Sequence, residues 1–236
     1  NQEKIATSLG VEFDKLILEE DIKEDKLISI INELNKDINV DGIILQLPLP
    51  NNLNEKKIIN SISPKKDIDC LTYINQGKLY CNEEVFLPCT PNSVITLLDK
   101  YNVNLQGKNV VVIGRSNIVG KPVAQLLLNK NATVTICHSK TRDLKDICKN
   151  ADILIVAIGR AKYINKDYVN KNTIIIDVGT SSLNGKITGD VDFDDVINEV
   201  DMITPVPGGV GALTTTLLIR NSCEALVNNE NENFNS

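Results

Sequence analysis

The chain has 236 residues, of which 42% are hydrophobic and 24% are charged, and its formal net charge is −6. This apolar content can build a core, so the composition excludes a mainly disordered chain. The acidic balance disfavours a nucleic-acid groove, and no uncharged apolar run approaches the roughly 20 residues that span a bilayer. We therefore expect a soluble protein of one large domain or two modest lobes, with no nucleic-acid and no membrane partner.

One histidine and six cysteines limit the chemistry further. A single histidine excludes a multi-histidine zinc site, and the cysteines form no C-x-x-C pair, so we expect no metal. The cysteines also lack the spacing of a disulfide framework, which indicates reduced thiols in a cytoplasmic protein, or in one of an organelle matrix. The first residues are neither a signal nor a transit peptide. The absence of an initial Met, with a helical pattern already under way, favours a chain that lacks its natural start.

Residues 1–89 predict alternating helices and strands. A short helix ends at Gly10, and apolar residues recur at helical spacing over residues 25–36. Residues 11–18 have strand character. Residues 42–47 are nearly all apolar, which is typical of a strand in a parallel sheet covered on both faces, and Pro48 ends that strand.

The pattern becomes more regular after residue 90. Pro91 suits the first turn of a helix that ends near Leu98. Four apolar strands follow, with helices over residues 119–128 and 144–149 between them; the strands cover residues 109–113, 132–137, 153–157 and 173–178. This alternation predicts an α/β fold with a doubly wound parallel sheet. A long helix over residues 211–227 and a frayed polar tail over residues 229–236 complete the chain.

The strand at residues 109–113 leads into a candidate phosphate-binding turn. Gly114 permits a tight turn, and the helix that starts near Val119 offers free N–H groups and a partial positive charge to a pyrophosphate. Ser116 takes the place of the second glycine in the G-x-G-x-x-G pattern. The turn alone is therefore equally compatible with an ordinary strand-to-helix connection.

The end of the second strand favours NADP over NAD. NAD-binding units hold the ribose 2′-OH with an acidic residue roughly 20 residues after the turn. The matching segment here contains His138, Ser139, Lys140 and Arg142, and Arg115 adds a cation at the first turn. These groups suit a 2′-phosphate. The alternatives are that the cations are solvated loop charges and that His138 packs or caps a turn rather than acting in catalysis.

Two glycines follow the later strands. Gly159 and Gly179 come directly after apolar runs, and ligands of open parallel sheets lie beyond the carboxyl ends of the strands. Glycine there lets a flat ring approach the backbone. Either glycine could instead simply end its strand.

Seven short segments carry a resemblance to a known family. They are D-G-I-I-L-Q-L-P-L-P from Asp41, P-K-K-D-I-D from Pro64, P-C-T-P from Pro88, the turn from Gly114 to Pro122, C-H-S-K-T from Cys137, G-D-V-D-F from Gly189 and T-P-V-P-G-G-V-G from Thr204. Together they resemble the methylenetetrahydrofolate dehydrogenase / methenyltetrahydrofolate cyclohydrolase family, from residue 1 to about residue 227. The Q-L-P-L-P and T-P-V-P-G-G-V-G strings are the most specific.

The resemblance implies an enzyme of one-carbon metabolism. Family members oxidise 5,10-methylenetetrahydrofolate to the 5,10-methenyl form with NADP⁺, and bifunctional members then add water to give 10-formyltetrahydrofolate. The implied architecture is an N-terminal folate lobe over residues 1–89, a Rossmann-like NADP domain over residues 90–210 and a cleft between them. A C-terminal helix over residues 211–228 is expected to return to the first lobe. Homodimers are usual in the family.

The resemblance also assigns site residues. The catalytic and folate-binding residues are Gln46 and Asp69, and the cleft loop that binds folate contains Pro207, Gly208 and Gly209. The cofactor-binding residues are Thr90, Gly114, Arg115, Ser116, Ser139, Gly159, Gly179, Thr180 and Thr214. A carboxylate such as Asp69 can accept the N–H edge of a pterin. Hydride transfer needs two rings held face to face without water rather than an acid or a base.

The hydrolytic step is where the chain departs from the family. Family members use a Tyr-x-x-x-Lys pair whose Lys stands eight residues before Gly-Ile or Gly-Val, and here Gln2 stands eight residues before Gly10. Glutamine is neutral and cannot donate a proton at a suitable pKa, so we expect weak or no cyclohydrolase activity. Milder departures are Cys70 in place of a usual glycine, and the pairs Thr180-Ser181 and Ala212-Leu213.

Two alternative functions stay open at this point. One is a non-catalytic paralogue that binds folate or a nucleotide, which the replacement at Gln2 supports. The other is an NAD(P) dehydrogenase of a small hydroxy or amino acid, against which the Gln46 and Asp69 motifs argue.

Overall fold

The structure is a computed structural model that describes the backbone of residues 2–234 and the side chains of residues 2–229. The chain divides into two compact units, one formed by Asn1–Pro88 with Thr215–Ser236 and the other by Cys89–Thr214. Among residues 2–234, no helix is both long and apolar enough to cross a membrane. The same residues contain no group of three or more His, Cys, Asp or Glu side chains that could hold a metal ion.

The first unit is mainly helical. Its helices are α1 (Gln2–Ser8), α2 (Glu24–Lys36), α3 (Glu55–Ile59), α4 (Tyr73–Cys81) and the larger part of α9 (Val210–Phe234). Leu27 and Ile31 on one face of α2 pack with Ile43, Ile58 and Ile62 to form its core. These apolar residues recur at helical spacing, so the predicted helix over residues 25–36 is confirmed.

The last helix belongs to the first unit for most of its length. The Asn221 side chain donates to the carbonyl oxygens of Ile68 at 2.8 Å and Leu87 at 3.0 Å. Near the C-terminus, Asn229 donates to the Asp41 carboxylate at 3.0 Å. The expected return of the C-terminal helix to the first lobe is therefore confirmed.

The predicted end of that helix is wrong. Helix α9 does not stop near residue 227 but continues to Phe234, into the segment interpreted as a frayed tail. No glycine or proline lies between residues 212 and 234, and asparagine and glutamate do not break a helix that has already begun. Residues 235–236 lie outside the described part of the chain.

Both strands predicted in the first unit are wrong. Residues 11–18 form no strand, and Leu16 and Ile17 are 56% and 81% exposed. Residues 42–47 make only a single parallel bridge, between Ile43 and Asp67. A strand needs a hydrogen-bonding partner along its length. The described residues provide residues 42–47 with that single bridge and residues 11–18 with no strand partner.

The second unit contains the predicted doubly wound parallel sheet. Its strands are β1 (Asn109–Ile113), β2 (Thr133–Cys137), β3 (Ile153–Val156), β4 (Ile174–Asp177) and β7 (Met202–Ile203), and between β4 and β7 an antiparallel hairpin is formed by β5 (Ser181–Leu183) and β6 (Lys186–Thr188). The helices are α5 (Cys89–Lys100), α6 (Gly120–Asn129), α7 (Leu144–Lys149) and α8 (Phe193–Val196), with a 3₁₀ turn at Lys166–Tyr168. The order of the sheet is β2-β1-β3-β4-β7, and every pair in it is parallel.

The central strands explain why the sequence predicted this sheet so well. Every residue of β3 is buried, and so are four of the five residues of β1. Strands covered on both faces require apolar residues in succession rather than in alternation. The sheet order also indicates a candidate ligand site. Since β2 lies on one side of β1 and β3 on the other, the connections between strands reverse direction at the carboxyl end of β1, where ligands of such sheets bind.

Candidate functional site

The turn after β1 has no room for a side chain. Gly114 has φ +123°, and a Cβ there would collide with the carbonyl oxygen of Ala157 beyond β3. A Cβ at Gly120 would collide with the Gly114 carbonyl group. Both glycines are therefore required by close backbone approach, and the turn is packed directly against the end of β3.

Ser116 caps the helix that follows this turn. Its hydroxyl oxygen accepts the N–H groups of Val119 at 3.1 Å and Gly120 at 3.3 Å. The exposed residues Arg115, Asn117 and Ile118 donate no backbone N–H to any described group. Unpartnered, exposed N–H donors at the start of a helix suit a pyrophosphate, so this donor set fits a dinucleotide.

The end of β2 lies next to the turn. The register pairs Ile113 with Cys137, and the Gly114 N–H donates to the Cys137 carbonyl oxygen at 2.9 Å. Ser139, Lys140 and Arg142 follow on an exposed loop. Neither these two cations nor Arg115 forms an ion pair with another described residue.

His138 has a local role in this loop. Its N–H donates to the Thr141 hydroxyl at 2.8 Å, and its Nδ1 accepts the Lys140 N–H at 3.2 Å. These bonds agree with the interpretation of His138 as a turn-capping residue. They occupy one ring nitrogen in holding the loop that carries the cations.

The glycines after β3 and β4 differ from each other. Gly159 is exposed, has φ +65°, and has open space where a Cβ would be. Gly179 is buried, and a Cβ there would collide with the carboxylate of Asp190. A neighbouring carboxylate therefore already requires glycine at position 179. The next residue, Thr180, which the resemblance assigns to the cofactor, is exposed.

Sequence reasoning missed two buried carboxylates at this edge of the sheet. Asp177, the last residue of β4, is 3% exposed and accepts the N–H groups of Gly179 at 3.0 Å, Asp190 at 3.1 Å and Val191 at 2.9 Å. Burial, with a further contribution from the charge of Asp190, raises the pKa of Asp177 to about 6. The G-D-V-D-F segment contained the signal for Asp190, whereas the only signal for Asp177 was an acid at the end of an otherwise apolar strand.

The last motif of the unit adjoins the same edge. The Thr204 hydroxyl accepts the Asp177 N–H at 2.9 Å and so connects β4 to the loop that carries Pro207, Gly208 and Gly209. Pro207 and Gly208 are exposed, whereas Gly209 is buried.

Helix α5 and the beginning of α9 meet at a pair of hydroxyl groups. The Ser93 hydroxyl lies 3.3 Å from that of Thr214 and donates to the Cys89 carbonyl oxygen at 2.8 Å. These contacts place Thr214, one of the two threonines assigned to the cofactor, beside the first turn of α5, and the other threonine, Thr90, lies in that same turn and is half-buried.

In the first unit, the structure brings Gln2 and Gln46 together. Gln46 Nε2 donates to Gln2 Oε1 at 3.2 Å. Gln2 is half-buried on α1, and Gln46 is exposed on the Q-L-P-L-P segment. The residue in the expected lysine position therefore contacts the proposed folate residue directly.

Asp69 lies on a loop organised by a neighbouring acid. The buried Asp67 carboxylate accepts the N–H groups of Leu71 and Thr72, both at 2.8 Å, and an Asn75 side-chain N–H at 2.9 Å. Cys70 has φ +55°, a conformation that favours glycine, which gives a physical reason for the glycine usual at this position. Asp67 is a third buried carboxylate that sequence reasoning did not single out.

Comparison with known proteins matches both parts of the chain. Residues 1–69 match the tetrahydrofolate dehydrogenase/cyclohydrolase catalytic domain, and residues 88–230 match the tetrahydrofolate dehydrogenase/cyclohydrolase NAD(P)-binding domain. The chain is 70% identical over 230 residues to a protein of Clostridium beijerinckii named bifunctional protein FolD, covering 98% of this chain and 82% of the relative.

Two solved structures are also similar. The bifunctional FolD methylenetetrahydrofolate dehydrogenase/cyclohydrolase of Campylobacter jejuni is 44% identical with a TM-score of 0.94, covering 96% of this chain and 81% of that one. The methylenetetrahydrofolate dehydrogenase-cyclohydrolase of Trypanosoma brucei, solved with NADP and an inhibitor, is 35% identical with a TM-score of 0.90, covering 95% and 79%.

Proposed function

The chain belongs to the tetrahydrofolate dehydrogenase/cyclohydrolase family, and we propose that it oxidises 5,10-methylenetetrahydrofolate with NADP⁺ and hydrolyses the methenyl product to 10-formyltetrahydrofolate. The observation that carries the proposal is the turn from Gly114 to Gly120, which offers unpartnered N–H donors at the change of direction in the sheet. The names of the bacterial relatives support both activities.

The second unit would hold the dinucleotide at this edge. The N–H groups of Arg115, Asn117 and Ile118 are suited to the pyrophosphate, and the cations Arg115, Lys140 and Arg142 to a 2′-phosphate, with Ser139 as a hydroxyl donor. The acid that would select NAD is absent from the end of β2. The Trypanosoma brucei structure with NADP is consistent with this preference. The bound cofactor supplies the hydride acceptor.

The remaining assigned residues would position the two rings. Gly159, Gly179 and Thr180 follow the strands on the side of β1 away from β2. Thr214 contacts Ser93 of α5, and Thr90 lies in the first turn of the same helix. In the first unit, Asp69 would accept the N–H groups of the pterin edge, as a carboxylate does in a bidentate contact. Pro207, Gly208 and Gly209 would add the folate-binding loop. Hydride transfer itself asks these residues for orientation and exclusion of water.

Gln46 and Gln2 would act at the one-carbon bridge. The Gln46 Nε2 group donates to Gln2, which fixes the amide and leaves its Oε1 without a hydrogen bond from the described residues. Our expectation that Gln2 leaves weak or no cyclohydrolase activity has no support in the relatives, one of which is 70% identical and is named bifunctional. We therefore propose hydrolysis in which these amides orient substrate and water and no lysine donates a proton.

The two activities can be separated in one experiment. Protein, NADP⁺ and methylenetetrahydrofolate are mixed, and the methenyl chromophore is followed as it forms and then decays. Formation without accelerated decay would remove the hydrolytic half of the proposal. The absence of any methenyl product would favour the non-catalytic paralogue, and a substrate profile with turnover of a small hydroxy or amino acid would favour the third alternative.

Variants assign the residues. Arg115→Ala should weaken the binding of NADP⁺ by roughly 1–3 kcal/mol and the binding of NAD⁺ much less, because only NADP⁺ carries the 2′-phosphate. Arg220→Ala is the matched control, since Arg220 pairs with Glu224 on α9. Asp69→Ala should raise the folate KM or abolish turnover. Gln2→Lys supplies the missing cation, and an unchanged ratio of hydrolysis to oxidation would support the amide mechanism.

The family resemblance alone also favours a homodimer. The expected result in sedimentation equilibrium is twice the 26.0 kDa chain mass. A monomer across the micromolar range would remove this part of the proposal.

A further inference from the structure

An exposed turn after β3 directs its amide groups inward. Asp190 Oδ2 accepts the N–H groups of Ile158 at 2.6 Å and Gly159 at 2.9 Å, and its Oδ1 accepts that of Arg160 at 2.7 Å. The Asp190 residue is completely buried, whereas Gly159 and Arg160 are exposed. One carboxylate therefore consumes all three donors of a turn that itself faces solvent.

The carboxylate is held from behind by a second one. Asp177 accepts the backbone N–H groups of Asp190 and Val191, and the Ile164 N–H donates to the Asp190 carbonyl oxygen at 3.0 Å. Neither acid forms an ion pair with a lysine or arginine in the described part of the chain. Backbone amides are thus the main groups that stabilise the buried carboxylate of Asp190. If the turn moved away, this carboxylate would be buried without hydrogen-bond donors, which is energetically costly.

The position of this turn relates it to the cofactor. Strand β3 lies beside β1, and the carbonyl oxygen of Ala157 is in close approach to Gly114 of the phosphate-binding turn. In a doubly wound sheet the adenosine half of a dinucleotide lies toward β2, so the nicotinamide half extends toward β3 and β4. Residues 158–160 therefore adjoin the nicotinamide half.

The two turns at this edge present opposite hydrogen-bonding groups. The turn after β1 has unpartnered N–H donors, whereas the turn after β3 has none. The carbonyl oxygens of Ile158 and Gly159 accept no hydrogen bond from any residue that the structure describes. They are available to a ligand that donates, such as a ribose hydroxyl or a carboxamide NH₂ group. The backbone of residues 158–160 offers a phosphate no N–H donor, and the guanidinium of Arg160 lies over the Tyr163 ring, 4.2 Å from its centroid.

We propose that Asp190 is a positioning residue that makes the backbone of residues 158–160 an acceptor-only contact for the nicotinamide riboside half of the cofactor. This inference rests on the proposed NADP function. By consuming the amides of the turn, Asp190 separates the recognition of the two halves: donors for the phosphates after β1, and acceptors for the sugar and the carboxamide after β3.

The test compares two ligands by calorimetry. NADP⁺ contains both halves, whereas adenosine 2′,5′-bisphosphate lacks the nicotinamide riboside. In Asp190→Asn one oxygen becomes an NH₂ group that cannot accept, so at least one turn amide loses its partner. We expect the Kd of NADP⁺ to rise about tenfold, as for the loss of one or two hydrogen bonds, and that of the bisphosphate by less than about twofold. The kcat for oxidation should fall while the folate KM stays unchanged.

Asp192→Asn is the matched control, because Asp192 lies two residues away and pairs with Lys162 at 3.0 Å. This variant should leave the Kd of each ligand within about twofold of the wild-type value. If Asp190→Asn raises the Kd of both ligands equally and lowers the Tm, Asp190 has a structural role only and the inference is overturned. Unchanged NADP⁺ binding would also overturn it. Wild-type protein that binds neither ligand would refute the proposed function and this inference with it.

Hydrogen exchange of the wild-type protein covers the case in which Asp190→Asn does not fold. The amides of Ile158, Gly159 and Arg160 should exchange slowly although two of these residues are exposed and none lies in a strand. Rapid exchange of all three amides would contradict the inward-facing arrangement.

Discussion

The stability of the second unit should fall as the pH rises from about 4 to about 7, because of Asp177. Its carboxyl group lies at the end of β4 and is 3% exposed. Burial raises its pKa from 3.8 to about 6, although three backbone N–H groups favour the charged form. Because this aspartate binds a proton more tightly in the folded chain than in the unfolded chain, its protonation stabilises the folded state.

The magnitude follows from this difference in pKa. One pKa unit corresponds to 1.36 kcal/mol, so a rise from 3.8 to about 6 corresponds to about 3 kcal/mol. The stabilisation is fully present below the unfolded pKa and is lost as the pH rises through the folded pKa. The free energy of unfolding should therefore decrease by about 3 kcal/mol from this group alone.

The contribution is isolated by comparison with Asp177→Asn, which cannot titrate. Urea unfolding is followed by far-UV circular dichroism between pH 4 and pH 8, and the difference between the two proteins is plotted against pH, so that groups common to both cancel. The wild type should lose about 2.5 kcal/mol relative to the variant over this range, because part of the full stabilisation is already lost at pH 4. Asp201→Asn, at an exposed acid of the same unit, is the control. A constant difference, or one that grows in favour of the wild type with pH, would refute the reasoning.

Three further predictions concern glycines and thiols. Gly77→Ala should raise the free energy of unfolding by roughly 0.5–1 kcal/mol, since Gly77 is an exposed residue inside α4 with open space for a Cβ; a loss of stability in urea unfolding would contradict this. Gly114→Ala should cost about 2–4 kcal/mol and abolish NADP⁺ binding, whereas Gly107→Ala, also at positive φ but with open space, should cost about 1 kcal/mol. In the native protein, a thiol reagent should label the exposed Cys81 and Cys223 quickly and the four buried cysteines slowly. Burial limits access of the reagent and also raises the pKa of the Cys70 and Cys148 thiols to about 12, which lowers the fraction of reactive thiolate. More than two fast thiols would show that the buried set is accessible.

The sequence by itself determined the parallel sheet and the tight glycine turn after β1. Residues 110–113 and 153–156 are uninterrupted apolar runs bounded by turn residues, and such runs are stable only between two covering layers. Gly114 and the cations after β2 stand at fixed offsets from those strands. In these cases the signal lies within a few residues of the structure that it predicts, so no distant contact was needed.

Only the tertiary structure decided the features that depend on distant partners. Residues 11–18 and 42–47 have the composition of strands, but a strand exists only where another chain segment satisfies its backbone. Gln2 meets Gln46, and Ser93 meets Thr214, across separations of 44 and 121 residues. Local spacing carries no information on such pairs.

Gly179 shows the difference at a single residue. The sequence predicted that glycine lets a ring approach the backbone, and the structure adds a requirement from the Asp190 carboxylate, which fills the space of a Cβ. Periodicity and composition report which residues are apolar or flexible. They do not report which polar group the folded chain will bury beside them, because that depends on the three-dimensional supply of hydrogen-bond donors, here the amides of residues 158–160.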